Sequence, residues 1–281
     1  MLVRNAWPSR LTARMPKIDA IDKLASWQVV PLDYDDVCAW ATVERQDDAN
    51  GVQHPYVLLY SPDVAPRQDE RLRVTLRFQG MVESLNISPL GNYDGRVEMA
   101  SRAVQFLSLG PGTNVETFQH QLRAFENLRV FISSIMNCAV QTNIRKEGTL
   151  YFQRLVFTKV RHPSAVRRNA TRPLQSVLVF GDDPHGWAAS VKRDWVVTHK
   201  ILTGVYDSSQ AAVRKPYTVI RVGDFVEVVA SVEVVKYRKY QRWITEARLI
   251  LQEVVRICEK NTVLVSIAYI IQQHETLTTA C

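Results

Sequence analysis

The 281-residue sequence predicts a mostly β chain arranged as two related β domains, with one clear helix in the first. Three observations carry this. Apolar residues alternate through Phe225–Val235 and again through Trp243–Ile257, the period-2 signature of strands with one buried face. The stretch Arg129–Arg161 aligns without gaps on Gly223–Val255, matching Phe131 with Phe225, Ile132 with Val226 and Arg154-Leu155-Val156 with Arg248-Leu249-Ile250. At the expected domain boundary, Gly148–Gly181 holds no Asp or Glu but carries Arg154, Lys159, Arg161, Arg167, Arg168 and Arg172, broken by Pro163 and Pro173, which reads as a solvated linker. The expected division is a basic disordered tail over 1–26, a first domain over 27–160, a linker over 161–173 and a second domain over 174–281.

The elements follow in order. Met1–Lys17 carries Arg4, Arg10, Arg14 and Lys17 and no acid, a composition shared by disordered termini and transit peptides. Val37–Glu44 and Tyr56–Tyr60 flank Asn50-Gly51, a strong hairpin signal. Leu72–Val82 and Arg96–Leu109 read as further strands around a Pro- and Gly-containing loop. Thr113 and Glu116 have capping-box spacing, and Val115, Phe118, Leu122 and Phe125 follow at helical spacing, so a helix is expected over Asn114–Asn127. In the second half, Ser176–Phe180, Trp195–Leu202, Tyr217–Val222 and the 225–257 hairpin read as strands, with a last one at Thr262–Gln273.

From Tyr56 onward the order is strand, strand, strand, helix, strand, strand. It resembles the element order of an OB-fold, a small Greek-key barrel whose sheet face and loops bind oligonucleotides. The expected architecture is therefore two OB-like barrels in tandem.

Composition bounds the function. Hydrophobic residues make up 46% of the chain and charged residues 22%, the balance of a globular soluble protein, and no apolar run reaches the length of a membrane span. The cysteines, Cys38, Cys138, Cys258 and Cys281, stand far apart with no metal-ligand spacing, so a reducing, intracellular setting is expected, nuclear in preference to mitochondrial. The histidines are scattered, and no nucleophile elbow, phosphate loop, dinucleotide fingerprint or zinc-protease motif is present. Asp182-Asp183-Pro184-His185 is the nearest approach to a metal or acid–base cluster, and it reads better as a turn with Asp caps. No catalytic residue, metal ligand or cofactor is assigned.

One stretch remains. Net charge of +7 favours an acidic partner, and at Lys236-Tyr237-Arg238-Lys239-Tyr240-Gln241-Arg242-Trp243 cations alternate with rings. Single-stranded nucleic acid requires cations for its phosphates and flat rings for its bases. The expected site is Lys236, Tyr237, Arg238, Lys239, Tyr240, Arg242 and Trp243, with Tyr237 and Trp243 on one side, and Arg145 and Lys146 at the equivalent tip of the first domain. The expected function is non-catalytic binding of single-stranded DNA or RNA. The competing reading is a protein-interaction or self-assembly module offering β edges, in which tip cations merely keep an exposed edge soluble.

Overall fold

The computed structural model describes residues 7, 11, 13–15, 24–47, 53–67, 70–142, 146–160 and 175–260. Its strands are β1 (Ala41–Asp47), β2 (Gln53–Tyr60), β3 (Thr75–Asn86), β4 (Val104–Gly110), β5 (Val140–Thr142), β6 (Leu150–Leu155), β7 (Thr158–Lys159), β8 (Trp195–Val196), β9 (Leu202–Tyr206), β10 (Ala212–Arg214), β11 (Phe225–Lys239) and β12 (Arg242–Cys258). The helices are α1 (Tyr34–Trp40), α2 (Val115–Met136) and α3 (Trp187–Val191). The chain is mostly β, as its alternating patterns predict.

The hairpin β11–β12 is the spine. Its register runs unbroken in direction from Lys239↔Arg242 to Phe225↔Cys258. On its outer edges β11 pairs with β2 and β3, while β12 pairs in parallel with β5, β6 and β9. Five strands close a cycle: β3 with β4, β4 with β6, β6 with β12, β12 with β11, and β11 with β3. Only the β6–β12 step is parallel.

This arrangement corrects the two-domain expectation. Strands from the proposed second domain lie between strands of the proposed first, in one ten-stranded sheet. The reason is a shared interior. Val226, Val228 and Ala230 of β11 and Leu249 and Leu251 of β12 are buried in the same core as Leu76, Phe78, Leu107, Leu109 and Phe152. A smaller core, including Leu90, Tyr93, Val156, Phe157, Val191 and Val197, gathers the β3–β4 connection against α3 and its surroundings.

The internal repeat is also corrected. Helix α2 runs on to Met136, so Arg129–Met136 is helical where its aligned counterpart is strand. Leu128, Phe131 and Ile132 extend the buried stripe begun by Phe118, Gln121 and Phe125 at three- and four-residue spacing. The helix stops at Asn137, held in the left-handed region at φ 47°, with its N–H donating to Ser133 and Ser134 carbonyls, a role Asn fills next best to Gly. Likewise the expected strand at Val37–Glu44 begins as α1, because Val37 and Trp40 are buried three residues apart, with Asp35 and Asp36 in its first turn favouring the helix dipole.

The N-terminal stretch is not wholly a disordered tail. Trp7, Leu11 and Met15 are buried in the main core, and Trp7 meets Phe225 edge-on at 4.8 Å. The arginines that surround them in the sequence hide this burial. The Asn50-Gly51 turn, the 161–173 linker and the expected strand at Thr262–Gln273 lie outside the described residues.

Candidate nucleic-acid interface

The distal part of the spine stands free of the sheet. On one edge, β11 pairs with β2 only at Glu233 and Val234; the next residue of β2 is Pro55, which has no N–H to continue a ladder. On the other edge, β12 pairs with β5 from Thr245 to Ala247. Thr245 is anchored there by the Cys138 thiol, which donates to its hydroxyl at 3.4 Å. Beyond these points, among the described residues, the two strands pair only with each other, as a two-stranded arm.

A two-residue turn, Tyr240-Gln241, closes the arm. Both residues have positive φ, 47° and 64°, the geometry of a type I′ hairpin turn that Asn-Gly would adopt at little cost. Tyr240 is 88% exposed and Trp243 67% exposed. The Lys236 ammonium lies 5.7 Å from the Trp243 ring and that of Lys239 5.6 Å from the Tyr240 ring. These contacts are cation–π geometry at an exposed site.

The arm gathers four cations that have no acidic partner among the described residues. Many cations nearer the sheet are paired: Arg71 with Glu44, Arg73 with Glu233, Arg77 with Glu227, Arg214 with Glu253, Arg248 with Glu246 and Lys200 with Asp182. Lys236, Arg238, Lys239 and Arg242 form no ion pair with any described residue.

Facing residues of the register share a side of the ribbon. Arg238 opposes Trp243 and Lys236 opposes Thr245, on one side; Tyr237 opposes Ile244 and Lys239 opposes Arg242, on the other. Tyr237 and Trp243 therefore project to opposite sides, which corrects the expectation that they share one. Tyr237 is half-buried, with the Arg248 guanidinium 5.5 Å from its ring, and Arg248 is held by two bonds to Glu246.

The other predicted positions fall elsewhere. Lys146 sits between β5 and β6, bonded to Glu83 at 2.8 Å, and none of its described contacts is with the arm; Arg145 lies outside the described residues. Arg154 donates to the Leu251 carbonyl, so the recurrent mid-strand arginines Arg154 and Arg248 serve the sheet. Asp183 accepts from the backbone N–H groups of Trp187, Ala188 and Ala189, and Asp182 accepts from Lys200. This loop is the capped turn its composition indicates.

On the flank of the spine, Glu227 is buried and accepts from Arg77, Gln79 and the Tyr206 hydroxyl at 2.8, 3.0 and 2.9 Å. Burial, reinforced by the Glu227 charge, pushes the Tyr206 phenol far up. Partial desolvation and the charges of Arg154 and Arg73 hold the imidazole of His199, itself exposed, below its ordinary range.

Neither a protein-family model nor a curated protein matches the sequence. Among solved structures, the chain is similar to gp2.5, a single-stranded DNA-binding protein encoded by bacteriophage T7, at 10% identity and a TM-score of 0.35 over 65% of this chain and 85% of that one. It is also similar to the single-stranded DNA-binding protein of bacteriophage Enc34, at 9% identity and a TM-score of 0.31 over 78% of this chain and 90% of the other. The Enc34 protein in complex with single-stranded DNA aligns at 10% identity and a TM-score of 0.30, covering 72% and 90% of the respective chains.

Proposed function

We propose that the cycle of five strands is an OB-type barrel and that the protein binds single-stranded DNA or RNA, without catalysis, through the tip of the β11–β12 arm. Numbered by their order along the chain, the strands of the cycle run 1-2-3-5-4 and back to 1, a Greek-key order. In such a barrel the loop between the fourth and fifth strands is one of the places where oligonucleotides bind. Here that loop is the arm's tip. The barrel is assembled from both halves of the chain, and its helix α2 falls between the second and third strands of the cycle.

One observation carries the reading: Tyr240 and Trp243 stand exposed beside Lys236, Arg238, Lys239 and Arg242, none of which has an acidic partner among the described residues. Solubilising cations alone have no need of large exposed rings among them. Strand binding does, since each stacked base contributes roughly 1–3 kcal/mol and each neutralised phosphate releases counterions. The reading rests on this local arrangement and not on the overall likeness to the phage proteins.

The test is fluorescence anisotropy of labelled single-stranded and duplex oligonucleotides over a salt series, with the intact protein and Tyr237→Ala/Tyr240→Ala/Trp243→Ala. Binding that prefers single strands, weakens with salt and falls roughly tenfold or more in the variant is expected. An intact protein that binds no oligonucleotide at low salt sinks the proposal and turns attention to a protein partner at the sheet edges.

A further inference from the structure

The arm distributes its binding groups over both of its sides. One side carries Lys236, Arg238 and Trp243; the other carries Tyr237, Lys239 and Arg242; Tyr240 stands at the turn between them. A single strand lying along one side meets half of these groups. A ribbon used by one strand on one side has no use for cations on the other, yet both sides carry a pair of them without described acidic partners.

Both sides of the tip are open to solvent, with Lys236, Arg238 and Trp243 exposed on one and Lys239 and Arg242 on the other. The edges of the ribbon are unpaired, among the described residues, beyond Val234 on β11 and Thr245 on β12. The nearest acids along the arm are already engaged, Glu233 by Arg73 and Glu246 by Arg248. The flanking carboxylates thus repel a polyanion on neither side.

We infer that the arm is a wedge for a forked nucleic acid, a duplex end that opens into two single strands, with one strand led along each side of the ribbon. The inference rests on the proposed single-strand binding and names the form of ligand that uses all of the tip. Lys236 and Arg238 neutralise phosphates of one strand, with Trp243 beneath its bases. Lys239 and Arg242 do the same for the other strand, beside Tyr237. Tyr240, held outward by the left-handed turn, meets the last base pair at the point of divergence.

The two-sided arrangement makes a prediction that a one-sided site does not. A short single strand can lie on either side, so removing the cations of one side leaves its affinity within about twofold. A fork needs both sides, so the same change lowers its affinity about tenfold, toward that of a single strand.

The experiment compares a labelled fork with two unpaired arms, the matching blunt duplex and one short arm strand alone. Each is titrated with the intact protein, with Lys236→Gln/Arg238→Gln and with Lys239→Gln/Arg242→Gln. These exposed substitutions leave the core untouched, and unchanged thermal unfolding confirms it. The expected result is a fork bound about tenfold or more tighter than the strand or the blunt duplex, with each paired variant losing that advantage. A fork bound no better than the single strand overturns the inference, as does one paired variant abolishing binding of every ligand while the other changes none. Either result leaves single-strand binding standing. Loss of all binding by the intact protein removes the underlying reading as well.

Discussion

At position 240 the chain carries a tyrosine where a type I′ turn favours Asn, and at 241 a glutamine where it favours Gly. A non-glycine residue in the left-handed region costs roughly 1–2 kcal/mol. Strain of this kind is kept where surrounding structure or function requires it, and here it points an exposed ring outward from the arm. Tyr240→Asn/Gln241→Gly should therefore raise stability, by about 1–2 kcal/mol in a denaturation series, while weakening oligonucleotide binding. Gain of both stability and affinity would show that the ring is not used. His199 makes a second prediction at this scale. Its folded form resists protonation because of partial desolvation, Arg154 and Arg73, while the unfolded chain takes a proton near pH 6.5. Stability is then highest above that pH and declines as pH falls from about 6.5 through the lower folded value. The drop in melting temperature between pH 7.5 and 5.5 should be smaller in His199→Gln than in the unaltered protein.

The elements differ in how openly the sequence declares them. The β11–β12 hairpin was legible because its inward residues alternate strictly as far as the bulge at Gln252, where the register shifts between Val229 and Ala230; past it, Val254 and Val255 are both buried. The tip was legible in composition but not in facing. Without an Asn-Gly or Asp-Gly pair the turn could not be placed, and a one-residue uncertainty exchanges the two sides of a ribbon. Helix α2 was visible near its start, although its N-cap is Asn114 with no side-chain cap bond and not the expected Thr113 box; its end was missed, since period-2 matching of Phe131 and Ile132 to a strand ignores the spacing that joins them to Leu128. The burial of Trp7, Leu11 and Met15 was hidden by the arginines between them. Because Trp7 is buried against Phe225, Trp7→Ala should cost about 3–5 kcal/mol. A loss under about 1 kcal/mol would mark that stretch as dispensable to the core.

Over the whole molecule, the same strands that suggest two domains build one core. Sequence periodicity records which residues turn inward but not which strands become neighbours, so a long-range insertion of β11 between β2 and β3 leaves no local trace. The consequence for function is mechanical. The arm is rooted in the centre of the sheet, with strands on both of its edges as far as Val234 and Thr245, and its free tip is held on a rigid base. Nucleic acid is proposed to meet the protein at this tip. Ultraviolet cross-linking of a single-stranded oligonucleotide to the full-length protein, followed by mass mapping of the modified peptides, tests it most directly. Adducts should concentrate within residues 236–243, chiefly on Tyr240 and Trp243. Efficient cross-linking that maps elsewhere and leaves this segment unmodified would contradict it.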